Sequence, residues 1–118
     1  MEDFKNLDTY QKWAKTTAIY PDNNTLITEG NPYYAALGLA GEVGELCNKL
    51  KKVMRDEDGV LTIKFLKDIE KELGDVLWYL AACASEFGLE LGTIAEKNLG
   101  KLMDRKARGK LKGSGDDR

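Results

Sequence analysis

Two stretches of the chain carry the same apolar rhythm. Leu39, Val43, Leu46, Leu50 and Val53 follow steps of 4, 3, 4 and 3, and so do Ile69, Leu73, Val76, Leu80 and Cys83. Side chains at those spacings share one face of an α-helix and cannot share one face of a strand. The spacing predicts helices over 32–54 and 62–87. Phe4, Leu7, Tyr10, Trp13 and Ala14 mark an earlier helix over 4–16, and Leu91, Ile94, Ala95, Leu99 and Leu102 a later one over 91–108. The punctuation agrees. Residues 20–31 hold Pro21, an Asp-Asn-Asn cluster and Gly30, and read as a loop; Pro32 suits a first helical turn. Residues 56–59 are a charged turn, Thr62 is a candidate N-cap, and Gly88 and Gly109 are stop signals. Nothing alternates as a strand would. The expected fold is all-α and four-helix-bundle-like, with short turns joining antiparallel neighbours. Residues 1–108 form a single domain and 109–118 a flexible polar tail.

The chemistry open to such a fold is narrowed by an absence: the 118 residues include no histidine. Histidine-based acid–base work, Ser-His and Cys-His pairs and His-ligated zinc are all excluded. Eighteen basic residues against twenty acidic ones leave a net charge of −2, which does not fit a general nucleic-acid binder. The longest apolar run, 76–84, is about half of what a membrane helix needs. Cys47 and Cys83 lie in apolar-periodic segments without a C-x-x-C motif and read as free buried thiols of a reducing compartment. The N-terminus is acidic and lacks the apolar stretch of a secretory signal. Together these predict a cytoplasmic protein without nucleic-acid or membrane partners.

Superposing the two central helices at an offset of thirty residues aligns more than their stripes. Glu42 and Glu45 fall on Glu72 and Asp75. At about 100° per residue, Glu42 and Glu72 sit about 60° from the stripe centre, and Glu45 and Asp75 about 60° further round. Antiparallel packing through the stripes then lets four carboxylates converge beside the seam. Such a cluster persists only if protonated, paired with cations or bound to metal. Oxygen-only ligands favour a hard divalent ion, Mg²⁺ with Mn²⁺ able to substitute. E-x-x-E spacing is also common on solvated helix faces, where Lys49 (four after Glu45) and Lys71 (four before Asp75) would be ordinary partners. Gly38, Gly41 and Gly44 weaken that reading. Each costs roughly 0.5–1 kcal/mol within a helix, which points to close approach by another helix or a ligand.

The last helix presents Lys97, Lys101, Arg105 and Arg108 on one face, in steps of 4, 4 and 3, with Asn98 at its border. Arginine grips phosphate oxygens bidentately and lysine acts as a point charge, so the stripe could serve a polyphosphate. A solvated helix end favoured by the dipole is the plainer alternative. Tyr79, four residues after Asp75, is the aromatic on the acidic side and a candidate base contact.

These residues resemble the MazG-type branch of the all-α nucleotide pyrophosphohydrolases, whose signature is E-x-x-E followed by E-x-x-D. Here the motifs are Gly41-Glu42-Val43-Gly44-Glu45 and Lys71-Glu72-Leu73-Gly74-Asp75. Leu39-Ala40 and Val76-Leu77-Trp78-Tyr79-Leu80 flank them, and Lys97-Asn98-Leu99-Gly100-Lys101-Leu102 and Asp104-Arg105-Lys106 are similar to the family's last helix. Residues 113–118 are similar to tails on short bacterial and phage members. Position 41 is Gly where many members carry a third acid. The resemblance implies that Glu42, Glu45, Glu72 and Asp75 hold Mg²⁺ and that Asn98 and Lys101 contact phosphate, with Lys97 and Arg105 as further candidates. It implies hydrolysis of a nucleoside triphosphate to monophosphate and pyrophosphate by an activated water at the α-phosphorus, Glu45 being a candidate base. It also implies a homodimer or dimer-based tetramer, with each site lined by more than one subunit. Rival readings are a phosphoribosyl-ATP pyrophosphohydrolase and a non-catalytic helical module that binds a nucleotide or metal. A di-iron bundle is disfavoured because its Glu-x-x-His motifs are missing.

Overall fold

A computed structural model describes residues 6–22 and 30–118. Four helices make up the described chain: α1 (Leu7–Lys15), α2 (Pro32–Asp56), α3 (Ile63–Glu86) and α4 (Leu91–Ala107). The predicted order and number hold, with boundaries within about three residues of expectation; Phe4, expected in the first helix, lies outside the described residues.

Local chemistry explains where each helix starts and stops. Asn6 accepts from the backbone N–H groups of Asp8 (2.9 Å) and Thr9 (3.3 Å), and Asn31, just before Pro32, accepts from Tyr34 (3.1 Å). Thr62 caps α3 through the N–H of Phe65 at 3.1 Å, as its position predicts. α3 and α4 both end in a left-handed glycine, Gly88 and Gly109. In each case the following N–H reaches back five residues, Leu89 to Ala84 (2.8 Å) and Lys110 to Arg105 (2.7 Å).

The start of α4 is capped from another helix. Glu90 makes no side-chain cap, and its place is taken by α1. Gln11 Oε1 accepts from the N–H of Leu91 at 2.7 Å, and Asp8 Oδ1 from that of Gly92 at 2.8 Å. A Cβ at position 92 would stand 2.6 Å from the Asp8 carboxylate, so a larger residue there would push that cap aside. Gln11 also donates to Ser85 Oγ (3.1 Å) and to the carbonyl of Leu89 (2.9 Å), tying α1 to the α3–α4 corner.

α2 and α3 pack as a hairpin, α1 lies on α3, and α4 leans on α1. The N-terminal half of α4 borders Leu77 and Leu80 of α3 across an open hollow. One chain therefore does not close a four-helix bundle. Its radius of gyration is 17.2 Å, against about 13–14 Å for a compact chain of this length. The apolar stripes are correspondingly half open. Val53 and Leu91 are buried, but Leu73 is 51% exposed, Leu99 60% and Met103 53%. Among the described residues, the rest of the buried apolar set is Tyr20 and the small residues Ala35, Ala81 and Ala84.

Three local features depend on tertiary contacts, and one of them, the exposure of Cys47, departs from expectation. Trp78, off the main stripe, faces α1: its indole N–H donates to Thr17 Oγ1 at 2.8 Å and its ring stands edge-on to Tyr20. Both cysteines are free, yet Cys47 is exposed because it lies on the outer side of α2. The tail lies back along α4 through arginine-to-carbonyl hydrogen bonds that a count of polar residues does not reveal.

Candidate metal centre on the α2–α3 hairpin

Because the two stripes face each other, the acids at their edges meet across the seam. One carboxylate oxygen from each of Glu42, Glu72 and Asp75 lies within 4.8 Å of the other two. Glu42 and Glu72 are half-buried and Asp75 is exposed. The crowding has an electrostatic cost. The Glu42 carboxyl is held above the usual carboxylate range by desolvation, then by the charges of Asp75, Glu72 and Glu45, and by a hydrogen bond with Glu72. A divalent cation would reverse each of these electrostatic penalties, and the all-oxygen donor set fits a hard ion.

Glu45 is the acid that does not join. It lies one turn beyond Glu42, exposed, and lines an open hollow on the outer side of α2 with Gly41, Gly44, Cys47, Asn48 and Lys51. Its charge still reaches Glu42, so it borders the trio without belonging to it.

Lys49 Nζ pairs with Glu72 Oε1 at 2.8 Å across the hairpin. The i,i+4 spacing from Glu45 had suggested a partner on its own helix. The inter-helix pair wins because Lys49 lies on the side of α2 that faces α3. Glu72 in turn raises the Lys49 pKa, foremost through their hydrogen bond.

Aromatic rings line the opposite flank. Tyr79 packs on the bare backbone of Gly38, where an added Cβ would come within 2.0 Å of its ring. This is the close approach that the helix glycines signalled; Gly41 and Gly44 meet nothing within 4 Å. The Tyr79 phenol is pushed up by desolvation, then by its neighbour Tyr34, and by the charges of Glu42 and Asp75. Tyr34 stacks on Tyr20 with centroids 4.8 Å apart, and Trp78 meets Tyr79 edge-on at 5.0 Å. Tyr10 of α1 is raised by burial and by Asp75, so α1 also borders the acids. In the sequence Tyr10 and Tyr34 stand only in a wider pool of aromatics able to stack on a base, and Lys49 only as an ordinary partner of Glu45. No motif ties them to the acids, because Tyr10 comes from α1 and the other two from opposite ends of α2.

The basic face of α4 is not brought to the acids in one chain. Lys97 and Asn98 are exposed, and Asn98 lines the hollow with Leu77, Leu80 and Ile94. Lys101 Nζ and Arg105 pair with Asp116 of the tail at 3.0 and 3.3 Å, and Arg108 with Asp104 at 2.8 Å. Among the described residues, no ion pair links these cations to Glu42, Glu72 or Asp75.

The carboxylate trio across the helix hairpin of this all-helical chain is a group of side chains that could hold a metal ion. The comparison with known families is more specific. The MazG nucleotide pyrophosphohydrolase domain matches residues 32–109, which include both acid motifs and α4, and the chain belongs to that family. It is also 45% identical over 113 residues to the Gene 37 protein of Mycobacterium phage L5, covering 96% of this chain and 99% of that one. No solved structure matches. No helix among the described residues is long and apolar enough to cross a membrane.

Proposed function

We propose that the chain is a Mg²⁺-dependent nucleoside triphosphate pyrophosphohydrolase, releasing pyrophosphate and the monophosphate. The observation that carries this reading is the convergence of Glu42, Glu72 and Asp75 in a chain of this family. A bound ion would screen the phosphate charge and lower the pKa of a water that it holds. Glu42, Glu72 and Asp75 are the groups to hold it. Lys49 keeps Glu72 oriented from behind, and Glu45, free of the trio, is the group to orient or deprotonate the attacking water. Tyr79 borders the same acids and is the candidate aromatic surface for the base.

Phosphate donors must come from somewhere, and within one chain α4 leans away. In this proposal Lys97, Asn98, Lys101 and Arg105 serve the acids of a second copy in a homodimer or dimer-based tetramer. The half-exposed Leu73, Leu99 and Met103 support it, since they leave apolar surface for another subunit to cover.

The test is pyrophosphate release from a panel of nucleoside triphosphates with Mg²⁺ and with EDTA. Glu72→Gln should lose both Mg²⁺ binding and turnover, whereas Glu45→Gln should lose turnover and keep the metal. Release of orthophosphate would refute the bond assignment. A folded, metal-binding protein without turnover on any triphosphate would favour a binding module instead.

A further inference from the structure

The last nine residues form a closed structure. The Arg118 guanidinium donates to the carbonyls of Lys110 (3.3 Å), Leu111 (3.2 Å) and Gly115, so the end of the tail holds its own beginning. Arg108 of the segment following α4 donates to the Arg118 carbonyl at 2.9 Å. This loop turns through Gly113 and Gly115, both at positive φ, and delivers Asp116 onto the basic face. One oxygen of Asp116 is shared by Lys101 Nζ at 3.0 Å and Arg105 at 3.3 Å, and Arg105 also donates to the Asp116 carbonyl. The Arg105 side chain is only 5% exposed beneath it, while the Asp116 side chain is 81% exposed.

An ammonium and a guanidinium converging on one anionic oxygen is how proteins bind phosphate. We propose that the tail is a built-in competing anion: Asp116 occupies the anion site of Lys101 and Arg105, and a polyphosphate displaces it. The proposal rests on the reading of those two residues as phosphate contacts. The occupant is held firmly enough to fill the site and loosely enough to leave. Its carboxylate is largely solvated, so departure needs little rehydration, and an exposed ion pair is weak. A polyphosphate brings several negative charges to the same two donors. Because Arg118 closes the tail on itself, the segment can lift as a unit about Gly109 and uncover Arg105.

The probe is inorganic tripolyphosphate, added to the full-length protein in EDTA so that no turnover is needed. Tail release is read as trypsin liberation of residues 113–118, followed by mass spectrometry. Tripolyphosphate should speed that release severalfold in the unmodified protein and have no effect in Lys101→Met. Asp116→Asn should bind tripolyphosphate about two- to fivefold tighter, the range that an exposed ion pair accounts for, and lower KM for a nucleotide by a similar factor with kcat unchanged. A chain ending at Lys112 should reproduce both effects, which covers a failure of the point variant to fold. Weaker tripolyphosphate binding or a raised KM in Asp116→Asn would overturn the proposal and make the tail a positioning element. So would unchanged tail release at saturating tripolyphosphate, or no tripolyphosphate binding at all. Loss of the pyrophosphohydrolase reading has a separate signature, since the absence of turnover on every triphosphate leaves the tail-release assay intact.

Discussion

Gly38→Ala puts one methyl group against Tyr79. The new Cβ would fall 2.0 Å from ring atom Cε1 and 2.4 Å from Cδ1. Ordinary carbon–carbon contact is about 3.5 Å, so ring or backbone must retreat by about 1.5 Å. The ring has little room to do so, with Trp78 edge-on at 5.0 Å and Tyr34 bonded to its phenol. Overpacking of this kind costs about 1–3 kcal/mol. Replacing a helical glycine returns about 0.5–1 kcal/mol, leaving a net loss of up to about 2.5 kcal/mol. Urea unfolding followed by the fluorescence of Trp13 and Trp78 measures it. The internal control is Gly44→Ala, where nothing lies within 4 Å and the single chain predicts a gain of about 0.5–1 kcal/mol. Equal gains at both positions would refute the packing of Tyr79 on Gly38. A loss at Gly44 with a fall in molar mass would mark that face of α2 as covered by a second subunit.

Two further outcomes follow from burial and charge. The folded, metal-free chain binds the Glu42 proton more tightly than the unfolded chain does, because the Glu42 pKa is raised. Its contribution therefore stabilises as pH falls from neutrality through that raised range and is lost again as pH rises past it. The urea midpoint without metal should show this component, and Glu42→Gln should remove it; identical pH profiles for the two proteins would refute the crowding. Glu86 at the end of α3 is buried and accepts from the Tyr20 hydroxyl and from the N–H of Asn31 at 3.0 Å, holding both ends of the α1–α2 connection. Tyr20→Phe should cost about 1.5–3 kcal/mol, the usual value of a hydrogen bond to a charged group, and a change below the error of the unfolding curve would show that Glu86 does not depend on it.

Much of the molecule is written in local pattern. The stripes of α2 and α3, the Thr62 cap and the stops at Gly88 and Gly109 depend on residues within a turn or two of one another, so periodicity and capping chemistry find them. The meeting of Glu42 with Glu72 and Asp75 was also legible, because two amphipathic helices joined by a short turn bring their stripes against each other first. The fate of Glu45 was not. A helix wheel places it 60° beyond Glu42 but cannot say whether the partner helix curves round to it.

The sequence by itself determined that the chain is helical, that its acids lie in pairs beside the stripes, and that any hydrolytic chemistry must do without histidine. These are consequences of side-chain period and composition, which act over a few residues. Tertiary structure alone decided that Lys49 answers Glu72 rather than Glu45, that α1 caps α4 through Asp8 and Gln11, that Tyr79 rests on Gly38, and that Asp116 lies on Lys101 and Arg105. Each joins residues whose separation along the chain carries no periodic signal. Which of several equally suitable charged or polar partners is reached depends on how the helices are set against one another, and that is a property of the packed chain as a whole.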